Sequence, residues 1–180
     1  MRFLKAMEQN EYKNFQPYDN STPEWSLKGR LLAARVVNIY DGDTCKIVVR
    51  LFDNKYIKFN TRLVGIDTCE MHSKNAMIHT LALKARNRLF QLVSGETEKP
   101  VNNTYLQENV CLVIVRCGDF DKYGRLLAEI FPYKSNESPD DIESTSFSYI
   151  LCKEKLAYAY NGEKKLTEDE QLLVLKLTES

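Results

Sequence analysis

The sequence predicts an α+β fold: a five-stranded β-barrel of OB type with a helix inserted after the third strand and short helices toward the C-terminal end. Three observations predict it. Consecutive runs rich in Val, Ile, Tyr and Phe fill residues 31–64 with turn residues between them, a single amphipathic stretch follows, and two further β-rich runs come after that stretch. Five strands of this kind are stable when the sheet closes on itself, because closure removes the unpaired edges of an open sheet.

Residues 1–28 are predicted to form an irregular arm. The segment is polar and aromatic without a period, Pro17, Pro23 and Gly29 break it, and Trp25 is the residue able to pin it to the rest. Residues 29–180 are read as one domain, since 180 residues at 43% hydrophobic content can bury one core but not two. Strands are predicted over 31–40, 44–52 and 55–64, joined by tight-turn signals at Asp41-Gly42 and Asp53-Asn54. Over 76–93, Ala76, Met77, Leu81, Leu83, Leu89, Phe90 and Val93 alternate with Lys84, Arg86 and Arg88, which predicts an amphipathic helix ending at Ser94-Gly95. A polar connection over 95–108 leads to 110–115, apolar on both faces and so expected to be a fully buried strand. The fifth strand is predicted over 125–131, an exposed loop over 132–146, and two short helices over 147–157 and 167–177.

Charge and cysteine content narrow the function. Twenty-five Lys and Arg balance 25 Asp and Glu, so no global positive field draws a polyanion from a distance. A bound cation can supply the missing positive charge locally. No apolar run has the form of a signal peptide or the length of a membrane span, which predicts an intracellular, cytoplasmic protein. The five cysteines contain no Cys-x-x-Cys pair and are read as free thiols, which argues against a zinc knuckle. His72 and His79 lack a third ligand nearby, and Lys84, Arg86 and Arg88 splay on a helix. Both groups are therefore read as solvated surface.

Three clusters carry candidate chemistry. Asp41-Gly42-Asp43-Thr44 is the first, although Asp-Gly is a common hairpin pair without any function. The second is Arg62 followed by Asp67-Thr68-Cys69-Glu70, where acids past a strand end are open to ligand; Asp67 or Thr68 could equally cap a short turn. Five residues of unbroken strand would send Arg62 and Asp67 to opposite faces, so a bend is required, and Gly65 is the place for it. The third is Asp121-Lys122-Tyr123-Gly124-Arg125, a turn that ends in an arginine at the start of a strand. Together, carboxylates from two strand ends suit a hard cation, and two guanidiniums suit the oxygens of one phosphate.

With these motifs, and with Leu156-Ala157-Tyr158-Ala159-Tyr160 as a fainter one, the sequence over roughly residues 31–162 resembles the staphylococcal nuclease (thermonuclease) family. The resemblance implies a calcium-dependent nuclease that cleaves DNA and/or RNA to leave 3′-phosphate ends. It implies that Asp43, Asp67 and the Thr68 carbonyl bind Ca2+ with Asp41 outside them, and that Glu70 orients or deprotonates the attacking water. Arg62 and Arg125 would hold the phosphate, Lys122 and Tyr123 a neighbouring phosphate, and Tyr158 and Tyr160 would line the nucleotide pocket, although both tyrosines also fit a core position. Cys69 stands where the family usually has proline, so the loop before Glu70 lacks a fixed φ. The alternatives are a nuclease-like module that binds nucleic acid or protein without chemistry, and a calcium-responsive interaction domain.

Overall fold

The computed structural model describes residues 11–97, 99–133 and 145–175. Its strands are β1 (Leu31–Ile39), β2 (Thr44–Arg50), β3 (Tyr56–Leu63), β4 (Ile66–Asp67), β5 (Cys111–Phe120), β6 (Leu126–Pro132) and β7 (Tyr158–Ala159). Its helices are α1 (Ala76–Ser94), α2 (Asn103–Glu108), α3 (Phe147–Lys153) and α4 (Glu168–Leu175). Five strands close into the predicted barrel in the order β1-β2-β3-β6-β5, antiparallel throughout except where β3 meets β6. The pair β4-β7 stands apart as a two-stranded antiparallel sheet.

The barrel forms because its strands alternate. On β2, Cys45, Ile47 and Val49 are buried while Lys46 and Arg50 are exposed. β5 corrects the expectation of a strand buried on both faces: Cys111, Val113, Val115 and Cys117 point inward, and Leu112 lies on the exposed side. Its outward positions need no apolar residue, so the strand runs on to Phe120, with Arg116 bonded across to Glu129 on β6. The side chains of Leu89 and Phe90 on α1 and of Phe147 and Leu151 on α3 join the barrel core. A second apolar cluster (Cys69, Ile78, Ala82, Tyr158 and Leu175) ties the segment after β4 to α1, β7 and α4.

α1 begins where Asn75 accepts from the Met77 and Ile78 amides and ends at Gly95 with φ 72°, close to the predicted limits. Other elements differ from expectation. The connection over 95–108 contains α2, nucleated by the Asn102 side chain accepting from the Tyr105 amide. α3 stops at Lys153 rather than continuing to 157, with the Leu156 and Ala157 amides turned back onto the Leu151 carbonyl (2.8 and 3.2 Å). That reversal releases Tyr158 and Ala159 to pair with β4. Of the predicted helix 167–177, residues 168–175 are helical and the last two lie outside the described residues. Most of the predicted loop 132–146 also lies outside them.

The arm is not irregular throughout: residues 11–15 are helical, while residues 1–10 lie outside the described set. Trp25 does pin it, packing 6.0 Å from the Phe52 ring and 6.3 Å from the Phe120 ring, and Leu27 is wholly buried in the barrel core. Among the described residues no helix is long and apolar enough to cross a membrane.

Candidate active site

The β1–β2 connection is shaped by a close approach rather than by a tight two-residue turn. The Tyr40 amide donates to the Thr44 carbonyl (2.9 Å), and Gly42 needs no left-handed φ. A Cβ on Gly42 would stand 2.6 Å from Ala85 Cβ on α1 and 2.9 Å from Thr68 Cγ2, so only glycine lets the connection sink against the helix. Asp43 is drawn in with it and is 2% exposed. Its amide donates to Asp41 Oδ1 (3.0 Å), and the Thr44 hydroxyl donates to Asp43 Oδ1 (2.8 Å).

The bend required between Arg62 and Asp67 is at Gly65, whose φ of 77° turns β3 back into β4. Both side chains therefore face the same space. Arg62 donates through Nη1 to Asp43 Oδ1 and through Nη2 to Asp67 Oδ1, each at 2.6 Å, and through Nη2 to the Ile66 carbonyl at 3.2 Å. One guanidinium thus spans two buried carboxylates. The Tyr160 ring lies 5.8 Å from the Arg62 guanidinium carbon.

Tyr158 corrects the pocket-lining role that the resemblance implies. It is buried, pairs with Asp67 in the β4–β7 register, and its hydroxyl donates to Asp67 Oδ2 at 2.6 Å. It orients the carboxylate from behind instead of facing the cleft. Tyr160, two residues on, does line the cleft.

The two acids respond differently to burial. Burial, and then the neighbouring Asp41 charge, push the Asp43 carboxyl from its ordinary 3.8 up to about 7, against the opposing pull of Arg62 and Thr44. Burial also raises Asp67, but the Tyr158 hydroxyl, Arg62 and Lys165 more than offset it and leave it below the usual carboxylate range. An acid whose folded-state value is raised stabilises the fold fully below its unfolded value, and that contribution is lost as pH climbs through the folded value. Metal-free protein is therefore expected to lose stability between pH 4 and pH 8, by up to about 4 kcal/mol from Asp43. Asp43→Asn should flatten that slope. Denaturant unfolding in chelator across this range checks it, and a flat wild-type profile would contradict the assignment.

In the third cluster Gly124 takes φ 77°, and Asp121 gathers the turn by accepting from the Tyr123 and Arg125 amides (2.9 Å each) and from Arg125 Nε (2.7 Å). Lys122 Nζ and the Arg125 guanidinium lie 5.1 and 5.6 Å from the Tyr123 ring centre. A cleft of about 360 Å³ joins all three clusters: Asp41, Asp43, Arg62, Asp67, Thr68, Glu70, Lys122, Tyr123, Arg125 and Tyr160 line it. Glu70 is well exposed on its rim, with a side chain 67% accessible.

Lys165 also lines this cleft and was not foreseen from the sequence, where only the Lys164-Lys165 doublet marks it. Its Nζ lies 3.0 Å from Asp67 Oδ1 and 3.1 Å from Glu70 Oε1. The residues read as solvated surface stay outside the cleft, but only His72 and Lys84 are exposed, while His79, Arg86 and Arg88 are half-buried and bonded. His79 Nδ1 is bonded to the Met71 carbonyl (2.8 Å), Arg86 donates to the Ile39 carbonyl (3.1 Å), and Arg88 forks onto Glu154 at 2.7 Å. All five cysteines are free, and Cys69 is buried in the second apolar cluster.

A family model described as staphylococcal nuclease homologue matches residues 60–178. No individually curated protein matches the chain. The match spans about two thirds of the sequence and contains the second and third clusters with β7 and α4, while the closed five-stranded barrel agrees with it. The chain belongs to the family of staphylococcal nuclease homologues.

Proposed function

We propose that this chain is a calcium-dependent phosphodiesterase that hydrolyses DNA and/or RNA as an endonuclease and leaves 3′-phosphate ends. The observation that carries the reading is the convergence on one cleft of two buried acids, a rim glutamate and two arginines.

The donor set fits a calcium ion. Asp43, Asp67 and the Thr68 carbonyl offer oxygen alone, with Asp41 alongside, and such oxygens suit a hard cation. Burial, and then the Asp41 charge, disfavour the ionised form of Asp43, which a cation bound beside it would favour. Bound there, calcium would add positive charge beside the scissile phosphate and favour a hydroxide-like water. The protein's own residues do the rest. Arg62, now forked on the two acids, can turn the same fork to phosphate oxygens once those acids are neutralised otherwise. Arg125, at the mouth of the β5–β6 turn, supplies the second fork by leaving Asp121. Both oppose the charge that gathers on a five-coordinate phosphorus, which is stronger in the transition state than in the substrate. Glu70, on the rim, accepts the proton of the attacking water, the P–O5′ bond breaks, and the departing 5′ oxygen takes a proton from solvent. Lys122 and Tyr123 contact the next phosphate, and Tyr160 flanks the nucleotide.

One observation favours a second reading, a nuclease-like binding module. Arg62, Glu70 and Arg125 are each engaged in ion pairs within the protein, and the chain has no net charge. Incubating the purified protein with labelled single-stranded DNA, in calcium and in chelator, separates the two. The enzyme reading expects calcium-stimulated cleavage that Glu70→Gln reduces by about 100-fold or more. Binding without cleavage at any calcium concentration favours the module.

A further inference from the structure

The loop between β7 and α4 carries a cation into the acidic side of the cleft. Lys165 reaches across 98 residues of sequence to Asp67 and 95 to Glu70, bonding the first at 3.0 Å and the second at 3.1 Å. Asp67 holds three donors at once: Arg62 and Lys165 on Oδ1 and the Tyr158 hydroxyl on Oδ2. Glu70 is otherwise open to solvent. The ammonium thus stands between an acid assigned to the metal and the acid assigned to the water.

From this placement we infer that Lys165 is an internal counter-ion of the cleft: its ammonium competes with a divalent cation for Asp67 and ties down Glu70 until that cation displaces it. The inference rests on the calcium reading above. Electrostatics supports it. A carboxylate oxygen already shared by two cationic donors is a weaker ligand than a free one, and a divalent ion near Asp67 would meet the positive charge of Lys165 at close range. The lysine side chain is 47% accessible, so its bonds are screened and can be exchanged at modest cost. Arg62, 11% accessible and bonded on both acids, is held more firmly. Of the two cations, Lys165 is therefore the one expected to leave first. The Tyr160 end of the same loop is anchored, with the Tyr160 amide donating to the Gly65 carbonyl (3.0 Å) and its hydroxyl to the Glu163 carbonyl (2.9 Å), so only a short segment separates Lys165 from a fixed point.

The test is calcium binding by titration calorimetry on the full chain, without nucleic acid, for wild type, Lys165→Met, Lys165→Arg and Asp67→Asn. Lys165→Met should bind calcium about tenfold more tightly than wild type, and Lys165→Arg should bind it like wild type because the competing charge is kept. Asp67→Asn serves as the ligand control and should bind calcium weakly. Equal affinity in Lys165→Met and wild type, with Asp67→Asn weakened, overturns the counter-ion role and leaves the calcium reading standing. Absence of binding in every variant overturns both. Should Lys165→Met unfold, calcium affinity measured over rising potassium chloride in wild type and in Lys165→Gln decides instead. The inference expects affinity to fall more steeply with salt in Lys165→Gln than in wild type, because salt also weakens the competing lysine in the wild type, and parallel salt dependence overturns it.

Discussion

Arg62→Ala is expected to destabilise the metal-free protein by about 3–5 kcal/mol at pH 8, the cost of removing one partner from a buried ion pair and leaving the other uncompensated. Asp43 and Asp67 share that single guanidinium, and both are almost wholly buried. Asp67 keeps Tyr158 and Lys165, whereas among the described residues Asp43 keeps only the Thr44 and Thr68 hydroxyls as side-chain donors. At pH 5 Asp43 can take a proton, so the loss there should be smaller. Denaturant unfolding at both pH values, in chelator, measures the difference. The same substitution should reduce cleavage by about 100-fold or more, since one well-aimed donor to a developing oxyanion is worth about 3 kcal/mol. Wild-type stability at pH 8 would show that the bridge contributes nothing to folding.

Arg125→Ala should separate catalysis from folding. Its rate is expected to fall by about 100- to 1,000-fold, again the worth of one donor aimed at the reacting phosphate. Stability should change by less than about 1 kcal/mol, because its ion pair with Asp121 sits in a surface turn and Asp121 keeps its backbone donors. The contrast with Arg62 is one of burial, since the two side chains are 29% and 11% accessible. Single-turnover cleavage and thermal unfolding on the same preparations read both quantities. A rate within threefold of wild type would remove Arg125 from the chemistry.

Much of this architecture is legible in the residues, for identifiable reasons. The barrel strands show a period of two, or a block of β-branched residues, long enough to stand above chance. α1 is marked by its stripe and by Gly95. Gly65 was legible as a bend because Arg62 and Asp67 otherwise face apart. What stayed hidden is short or non-local. β4 and β7 are two residues each, too short to have a period, and they exist because they pair with one another. Reading 147–157 as one helix followed local pattern, while the chain is turned out of the helix by that pairing. The same pairing fixes Tyr158 behind Asp67, so its role as an orienting donor could not be inferred from the Tyr-Ala-Tyr spacing alone. Lys165 is the clearest case. Nothing local distinguishes it from Lys164, and only the path of the loop after β7 places it at Asp67 and Glu70.

The first cluster shows the complementary situation. Asp41 to Thr44 precede the segment matched by the family model, yet they close the site, because β2 pairs with β3 in a register that sets Thr44 opposite Arg62. Gly42 then presses against Ala85 and Thr68, so the connection, α1 and the segment after β4 are fixed as one unit. A dipeptide that reads as an ordinary hairpin signal is here a packing requirement of the cleft.

For hydrolysis, the Arg62 fork must be exchangeable between two acids and a phosphate. A crystal structure with calcium and a nucleoside 3′,5′-bisphosphate tests this most directly. The expected result is one calcium ion held by Asp43, Asp67 and the Thr68 carbonyl, Arg62 and Arg125 both on phosphate oxygens, and Lys165 withdrawn from Asp67. A well-ordered nucleotide bound elsewhere, with Arg62 still spanning Asp43 and Asp67 and no ion between them, would contradict the account.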